Sequence, residues 1–367
     1  MKKILFLINS LEGGGAEKVL TTLTNNLSEN YAITIMTIYN EGLYIKQLND
    51  RISYKSIIKR PTLNKKRIMF RLLKYLPAKL LHKIFIKDHY DIEVGFLEGI
   101  CTKIVSAADN TTKKIGWIHL NLELIKKKNW EFINKNLAKI YYDSLNHVIC
   151  VSEDVKKSYI NKIGSNNEAV VIYNPIDAED IINKSKSPIE EISNDKFTIS
   201  AIGRLVPQKG FDRLIEAVIN LKNEGYNFKL WIIGEGHLRD SLQKQIIDNS
   251  VEDYISLLGF KENVYSYLAS SDLYICSSRN EGYSLTVAEA LVLGIPVIST
   301  NCSGPIELLD GGKYGKLVEN STDGIYSGIK SVLDNQELLK EMQLKAQERG
   351  STFNLEKTIK DVKELFD

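Results

Sequence analysis

The sequence holds little that would build disulfides, zinc sites or a membrane span. Its four cysteines, Cys101, Cys150, Cys276 and Cys302, show no paired spacing, and three lie in or beside apolar, strand-like runs. That pattern excludes a disulfide framework and a zinc site and fits reduced core thiols in a cytosol. No run approaches the roughly 20 apolar residues that a membrane-spanning helix needs. The short apolar start of MKKILFLINSLEGGG leads straight into a glycine turn, so it reads as a first strand and not as a secretory signal. Short repeats and low-complexity tracts are also missing, and no recognised nucleic-acid module is visible.

What is present suits a soluble protein of two domains. A chain of 367 residues is too long for one compact core. The net charge of +2 hides an asymmetry. Residues 1–180 carry 27 Lys and Arg against 19 Asp and Glu, whereas the remainder carries 21 against 27. A basic first half is the one expected to meet something anionic.

Short apolar, β-branched runs occur at 3–8, 32–38, 92–96, 115–118, 147–151 and 170–173. They recur at 197–202, 228–233, 254–258, 273–276, 296–299 and 315–318. Amphipathic helical stretches separate them. Alternation of this kind, carried out twice, predicts an α/β protein with two Rossmann-like, doubly wound parallel-sheet domains. The expected boundaries are a first domain at 1–180, a polar linker at 181–196 and a second domain at 197–352. A closing helix within 353–367 has no strand after it and is expected to pack back on the first domain.

In open parallel sheets, ligands bind outside the carboxyl ends of the strands. The unusual residues fall there. Gly13-Gly14-Gly15 follows the first run, His119 the fourth and Ser152 the fifth. Arg204, Gly234-Glu235-Gly236 and Glu281 follow runs of the second half. Two sheets whose functional edges face each other would gather these groups around one interdomain cleft.

The most informative stretch is EGYSLTVAEALVLGIPVISTNCSG, from Glu281 to Gly304. Ser284 is placed to cap a helix that starts near Leu285 and stops at Gly294, with Pro296 beyond. The backbone amides around Tyr283 to Thr286 would then point at an anion of phosphate type, with Gly282, Tyr283, Ser284 and Leu285 as donor-binding residues of the turn. Glu289 lies a little over a turn inside that helix among Ala288, Ala290 and Leu291, where an unpaired carboxylate is costly and a hydroxyl-rich ligand would offset the cost. Glu281 stands at the entrance to the turn; its bland alternative is an ion pair with Arg279.

Three further features carry chemistry. In Gly203–Gly210, GRLVPQKG, Arg204 offers a fork of donors and Lys209 a mobile point charge, enough to neutralise a diphosphate. The spacing at Gly13-Gly14-Gly15 is not the GxGxxG of dinucleotide binding, though it lets the backbone come close to a ligand. His119 sits between apolar neighbours, and a lone histidine there is as compatible with a structural role as with a catalytic one. From Lys59 to Lys87 the chain has ten Lys or Arg and no acid, interleaved with aliphatic residues. A basic amphipathic helix of this kind suits the surface of an anionic membrane, the plain alternative being a core helix with a solvated basic face.

Taken in order, GGGAEKV, VSEDV, NPID, GRLVPQKG, IIGEG, LLGF and the Glu281…Glu289 pair resemble the family 4 (GT4-type) retaining glycosyltransferases of the GT-B fold. The resemblance spans essentially the whole chain. It is nearest to the subgroup that builds bacterial surface polysaccharides and lipid-linked oligosaccharides. It implies a nucleotide-sugar donor, most simply a UDP-sugar, held mainly by the second domain. Arg204 and Lys209 would hold the diphosphate, Glu289 the ribose and Glu281 the sugar hydroxyls, with the base near Phe260. Gly14 and Gly15 would close over the phosphates, and His119 would contact the donor sugar. Asn174-Pro175 departs from the family's commoner Asn-Gly, which bears on the hinge. No Asp-x-Asp motif occurs, so no metal or other cofactor is expected.

The implied acceptor is a glycan or a polyprenyl-diphosphate-linked saccharide. The expected location is cytoplasmic, peripheral on the inner face of the membrane. Catalysis would rest on Glu281, His119, Arg204 and Lys209, with front-face attack by the acceptor hydroxyl. Two rivals are a sugar-nucleotide epimerase on the same double fold and a scaffold subunit that has lost turnover.

Overall fold

The computed structural model describes residues 1–125, 134–189 and 196–367. The chain divides into two compact units, one of Met1–Pro175 with Glu356–Asp367 and one of Ile176–Leu355.

Among the described residues, the first unit has a seven-stranded parallel sheet in the order β3-β2-β1-β4-β5-β6-β7. Its strands are β1 (Lys3–Ile8), β2 (Ala32–Tyr39), β3 (Ser53–Ile58), β4 (Ile92–Gly95), β5 (Lys113–Ile118), β6 (His147–Cys150) and β7 (Ala169–Val171). The helices are α1 (Gly15–Leu27), α2 (Leu63–Tyr75), α3 (Ala78–Phe85), α4 (Ile100–Val105), α5 (Lys135–Asp143) and α6 (Glu153–Ile163).

The second unit begins with α7 (Ala178–Ser185). Its six-stranded parallel sheet has the order β10-β9-β8-β11-β12-β13. The strands are β8 (Thr198–Ile202), β9 (Lys229–Ile233), β10 (Ile255–Gly259), β11 (Leu273–Cys276), β12 (Val297–Thr300) and β13 (Lys316–Val318). The helices are α8 (Phe211–Asn223), α9 (Arg239–Asp248), α10 (Tyr265–Ala269), α11 (Leu285–Val292), α12 (Ser303–Leu308), α13 (Thr322–Leu333) and α14 (Gln336–Gly350). A last helix, α15 (Leu355–Phe366), returns the chain to the first unit.

Strands buried on both faces explain the continuous apolar runs, since helices cover each side of a parallel sheet. Leu5, Phe6 and Leu7 of β1 are all sealed from solvent, as are Leu230, Ile232 and Ile233 of β9. Phe366 of α15 is fully buried against Phe6 and Tyr31, with ring centroids 6.1 and 5.8 Å away. Lys113 Nζ donates to the Leu365 carbonyl at 2.9 Å and Lys2 Nζ to that of Phe366 at 3.0 Å.

The structure departs from the sequence expectations in three places. β3 was missed because SYKSII mixes polar and apolar residues on a half-exposed edge strand, where burial does not enforce an apolar run. The stretch from Lys59 to Lys87 is two helices and not one, because Pro77 forces Leu76 into extended backbone between α2 and α3. The polar segment read as a linker at 181–196 starts inside α7, which Asp177 caps through the Asp180 amide and Ile181 anchors by burial. Residues 190–195 of that segment lie outside the described residues.

Candidate active site

Each sheet reverses its strand order beside its first strand, between β1 and β4 and between β8 and β11. At such a switch point neighbouring loops diverge and leave a crevice for ligand. In the second unit the loops leaving β8 and β11, residues 203–210 and 277–284, carry Arg204, Lys209, Glu281, Gly282, Tyr283 and Ser284.

These loops meet at an ion pair. Lys209 Nζ lies 2.6 Å from Glu281 Oε1, and Ser278 Oγ donates to the same oxygen at 2.6 Å. Ser277 Oγ donates to the Lys209 carbonyl at 2.8 Å. Burial works against the Lys209 ammonium, yet the charge and hydrogen bond of Glu281, together with Cys276, keep the lysine pKa above its ordinary value. Arg204, near enough to Lys209 for its charge to act on the ammonium, is exposed and without an ion-pair partner among the described residues. Gly210 has φ +66°, and a Cβ there would fall 2.2 Å from the Ser277 carbonyl oxygen, so only glycine allows the two loops to close.

Ser284 does precede α11, but its hydroxyl does not cap the helix. The residue is left-handed, with φ +73°, and Oγ lies 3.9 Å from Cys276 Sγ. A non-glycine residue in that region is strained, a conformation that clusters at ligand-binding turns. With no side-chain cap, the first amides of α11, from Leu285 onward, keep their capacity for an external acceptor. Tyr283 and Glu289 are buried; Phe260 lies just past β10 with half its surface exposed.

Sequence reasoning missed the residues that fix these loops behind their polar tips. Arg279 does not pair with Glu281. It makes a two-pronged contact with Asp212 of α8, at 2.8 and 2.7 Å. Arg213 donates to the Ser277 carbonyl at 3.0 Å and to Asn320 Oδ1 at 2.8 Å, and Asn320 Nδ2 returns a bond to the Arg279 carbonyl at 3.0 Å. Asp212 and Arg279 are 67 residues apart, so no local spacing could have paired them.

In the first unit Gly14 precedes α1, and Gly15 is its first residue. A Cβ on Gly14 would meet Glu17 Oε2 at 2.2 Å, so a carboxylate already lies against this helix end. His119 follows β5 and is buried against Phe96 and Trp117. Its backbone amide donates to Glu98 Oε2 at 3.0 Å, while Nε2 has no partner among the described residues. Burial drives its pKa down to about 3, so the ring is neutral near pH 7.

The basic stretch is placed on the surface. In α2 only Leu73 is buried, and Ile68, Leu72 and Tyr75, at i, i+4 and i+7, form an exposed apolar stripe. Leu80 and Ile84 of α3 are exposed in the same manner. A cavity of about 670 Å3 is lined by Ile57, Ile58, Lys59, Arg60, Lys65, Ile68 and Met69. The buried Lys103 of α4 donates to the carbonyls of Leu73 and Lys74, at 2.8 and 2.9 Å, and so holds the last turn of α2. Among the described residues no helix is long and apolar enough to cross a membrane.

Two family patterns match this chain. "Glycosyltransferase Family 4" covers residues 13–180 and "Glycosyl transferases group 1" residues 182–349. The chain therefore belongs to the family 4 glycosyltransferases, with the GT-B fold. A curated relative, the N-acetylgalactosamine-N,N'-diacetylbacillosaminyl-diphospho-undecaprenol 4-alpha-N-acetylgalactosaminyltransferase of Campylobacter jejuni, is 28% identical over 98% of both chains. The capsular polysaccharide biosynthesis glycosyltransferase CapM of Staphylococcus aureus is 26% identical over 53% of this chain and 52% of its own. Among solved structures, Anabaena HepE in complex with UDP and glucose superposes with a TM-score of 0.77. It is 20% identical, with 100% of this chain and 99% of that chain covered.

Proposed function

We propose that this glycosyltransferase moves a hexosyl or N-acetylhexosaminyl group, with retained configuration, from a UDP-sugar to a hydroxyl of a glycan or lipid-linked saccharide. The synthesis served is that of a bacterial surface polysaccharide. The observation that carries the reading is the Lys209–Glu281 pair at the switch point of the second sheet, beside exposed Arg204 and the uncapped start of α11.

In the absence of donor, Glu281 neutralises Lys209. A diphosphate entering between Arg204, Lys209 and the amides at 283–286 competes for the ammonium and releases Glu281 to accept from the sugar hydroxyls. As the bond from the anomeric carbon to the phosphate oxygen breaks, these cations and amides stabilise the charge that develops on the leaving diphosphate. Preorganised groups of this kind supply the largest catalytic term in many enzymes. The acceptor hydroxyl attacks from the same face, and its proton passes to the departing phosphate. Protein cations take the charge, so the reading assigns no metal. Glu289 is assigned to the ribose, Phe260 to the base, and Gly14 and Gly15 to the phosphates. His119 is assigned to the donor sugar, which would meet its Nε2, a buried atom with no partner among the described residues.

The solved neighbours described with UDP-glucose and with UDP support the choice of donor, and the Campylobacter relative's diphospho-undecaprenol substrate supports the acceptor. On the acceptor side, the apolar stripe and flanking cations of α2 and α3 suit peripheral attachment to an anionic membrane. The cavity beside Lys59, Arg60 and Lys65 matches the chemistry of a lipid-borne phosphate.

The test is release of nucleoside diphosphate from a panel of sugar nucleotides, with and without a membrane extract as acceptor. Release that depends on the extract is expected. A changed sugar without release would make the protein an epimerase, and binding without either would make it a scaffold.

A further inference from the structure

The loop of residues 203–210 brings Arg204 and Lys209 to the site, and the loop of residues 277–284 brings Glu281 and the amide turn. Transfer requires these groups at fixed separations, yet the Lys209–Glu281 pair is itself the contact that an entering donor must open. Something else has to keep the loops in register once that pair is broken.

Behind the pair, Arg279 makes four bonds across the gap, two to the first loop and two to Asp212 in the helix that follows it. Its backbone amide donates to the Gln208 carbonyl at 2.7 Å and its Nη1 to the Pro207 carbonyl at 2.7 Å. Nη1 and Nη2 then engage Asp212 Oδ1 and Oδ2 at 2.8 and 2.7 Å. Gln208 Nε2 completes the connection by donating to the Asn280 carbonyl at 2.9 Å. Glu281 follows Asn280, and Lys209 follows Gln208. Each reacting group is therefore one residue from a bond between the loops. The planar guanidinium fixes direction as well as distance, which a lysine ammonium cannot do.

We propose that Arg279, held by Asp212, is a positioning residue for the transfer: it sets Lys209 against Glu281 across the two loops without itself touching the donor. This rests on the reading of the site given above. It gives Arg279 and Asp212 a role in turnover that neither their half-exposed position nor their place in the sequence reveals.

The experiment compares wild type with Arg279→Met, Arg279→Lys, Asp212→Asn and the Arg279→Met/Asp212→Asn double variant, in acceptor-dependent UDP release. Turnover is expressed per site that binds UDP, so misfolded protein does not count. The expected result for Arg279→Met is a loss of about tenfold or more in kcat, with the donor KM changed by less than about threefold. That is the signature of an interaction that matters in the transition state. Arg279→Lys should recover only part of the loss. Asp212→Asn, the milder change, should reproduce it, and the double variant should be no worse than Arg279→Met alone, because both changes cut one connection. Wild-type kcat in Arg279→Met and Asp212→Asn would overturn the proposal, as would losses that simply multiply in the double variant. If wild type itself binds no nucleoside diphosphate, the reading of the site fails and the positioning role falls with it.

Discussion

Glu281 Oε1 takes both the Lys209 ammonium and the Ser278 hydroxyl at 2.6 Å, so one carboxylate oxygen joins the loops of two neighbouring strands. On the proposed reading, the Glu281 carboxylate holds the cation that an entering phosphate would take.

Removing one partner should therefore hurt folding and turnover differently. Lys209→Ala leaves a buried carboxylate without its cation and is expected to cost about 3 kcal/mol of stability. It should also cost on the order of 10²-fold in kcat, by analogy with lost donors to a developing oxyanion. A Lys209→Met/Glu281→Gln double variant should regain much of the stability and none of the activity. Denaturant melts paired with UDP-release assays check this; activity that recovers with stability would show the pair to be structural only.

His119 makes a prediction about acid. Its folded pKa of about 3 lies below the ordinary 6.5, so the unfolded chain binds a proton that the fold refuses. Stability should then rise with pH from about 3 to about 6.5, and fall as pH drops through that window. His119→Phe should flatten this dependence and still lose activity at pH 7.5, because the Nε2 assigned to the donor sugar is gone. Urea midpoints measured from pH 4 to pH 7.5 give the first result. An unchanged slope in the variant would contradict the assignment of a buried, neutral ring.

Lys103 works at the opposite end of the scale. Burial lowers its pKa to about 8, below the ordinary 10.5, so the folded chain gives up the proton before the unfolded one does. Stability contributed by this group should increase from about pH 8 to about pH 10.5, and Lys103→Met should abolish the increase. The same substitution removes both bonds to the last turn of α2, and amides there should exchange faster with solvent. Unaltered exchange across residues 63–75 would mean that Lys103 does not secure that helix.

The exposed face of α2 predicts a lipid dependence. Replacing Ile68, Leu72 and Tyr75 together by serine removes three apolar side chains that insertion would bury, each contributing about 1.5–3 kcal/mol when fully buried. Binding to phosphatidylglycerol vesicles should fall by more than about tenfold in a sedimentation assay, with UDP affinity unchanged. Equal sedimentation of variant and wild type would leave α2 as a solvated helix.

Much of the fold was legible because parallel strands announce themselves as apolar runs. Burial on both faces leaves little room for polar residues, as in KILFLI of β1 or KLWII of β9. Edge strand β3, half-exposed, sent no such signal. Helix α7 was read as linker because its one buried residue, Ile181, is too little to produce a visible period. Strand-end position singled out Arg204, Glu281 and His119, and the cations of GRLVPQKG added Lys209. It could not show that Lys209 and Glu281 pair, that Ser284 is left-handed, or that Arg279 turns to Asp212. Those depend on two loops meeting across tens of residues of intervening chain.

On the proposed function, Arg204, Lys209 and the start of α11 grip a nucleotide through its diphosphate. Calorimetric titration of UDP, ADP and GDP into wild type and the Arg204→Ala/Lys209→Ala variant decides the matter. Saturable binding of UDP by wild type, weakened about 10²-fold or more in the variant, is the expected result. Equal affinity in both proteins, or no binding of any of the three nucleotides by wild type, would contradict it.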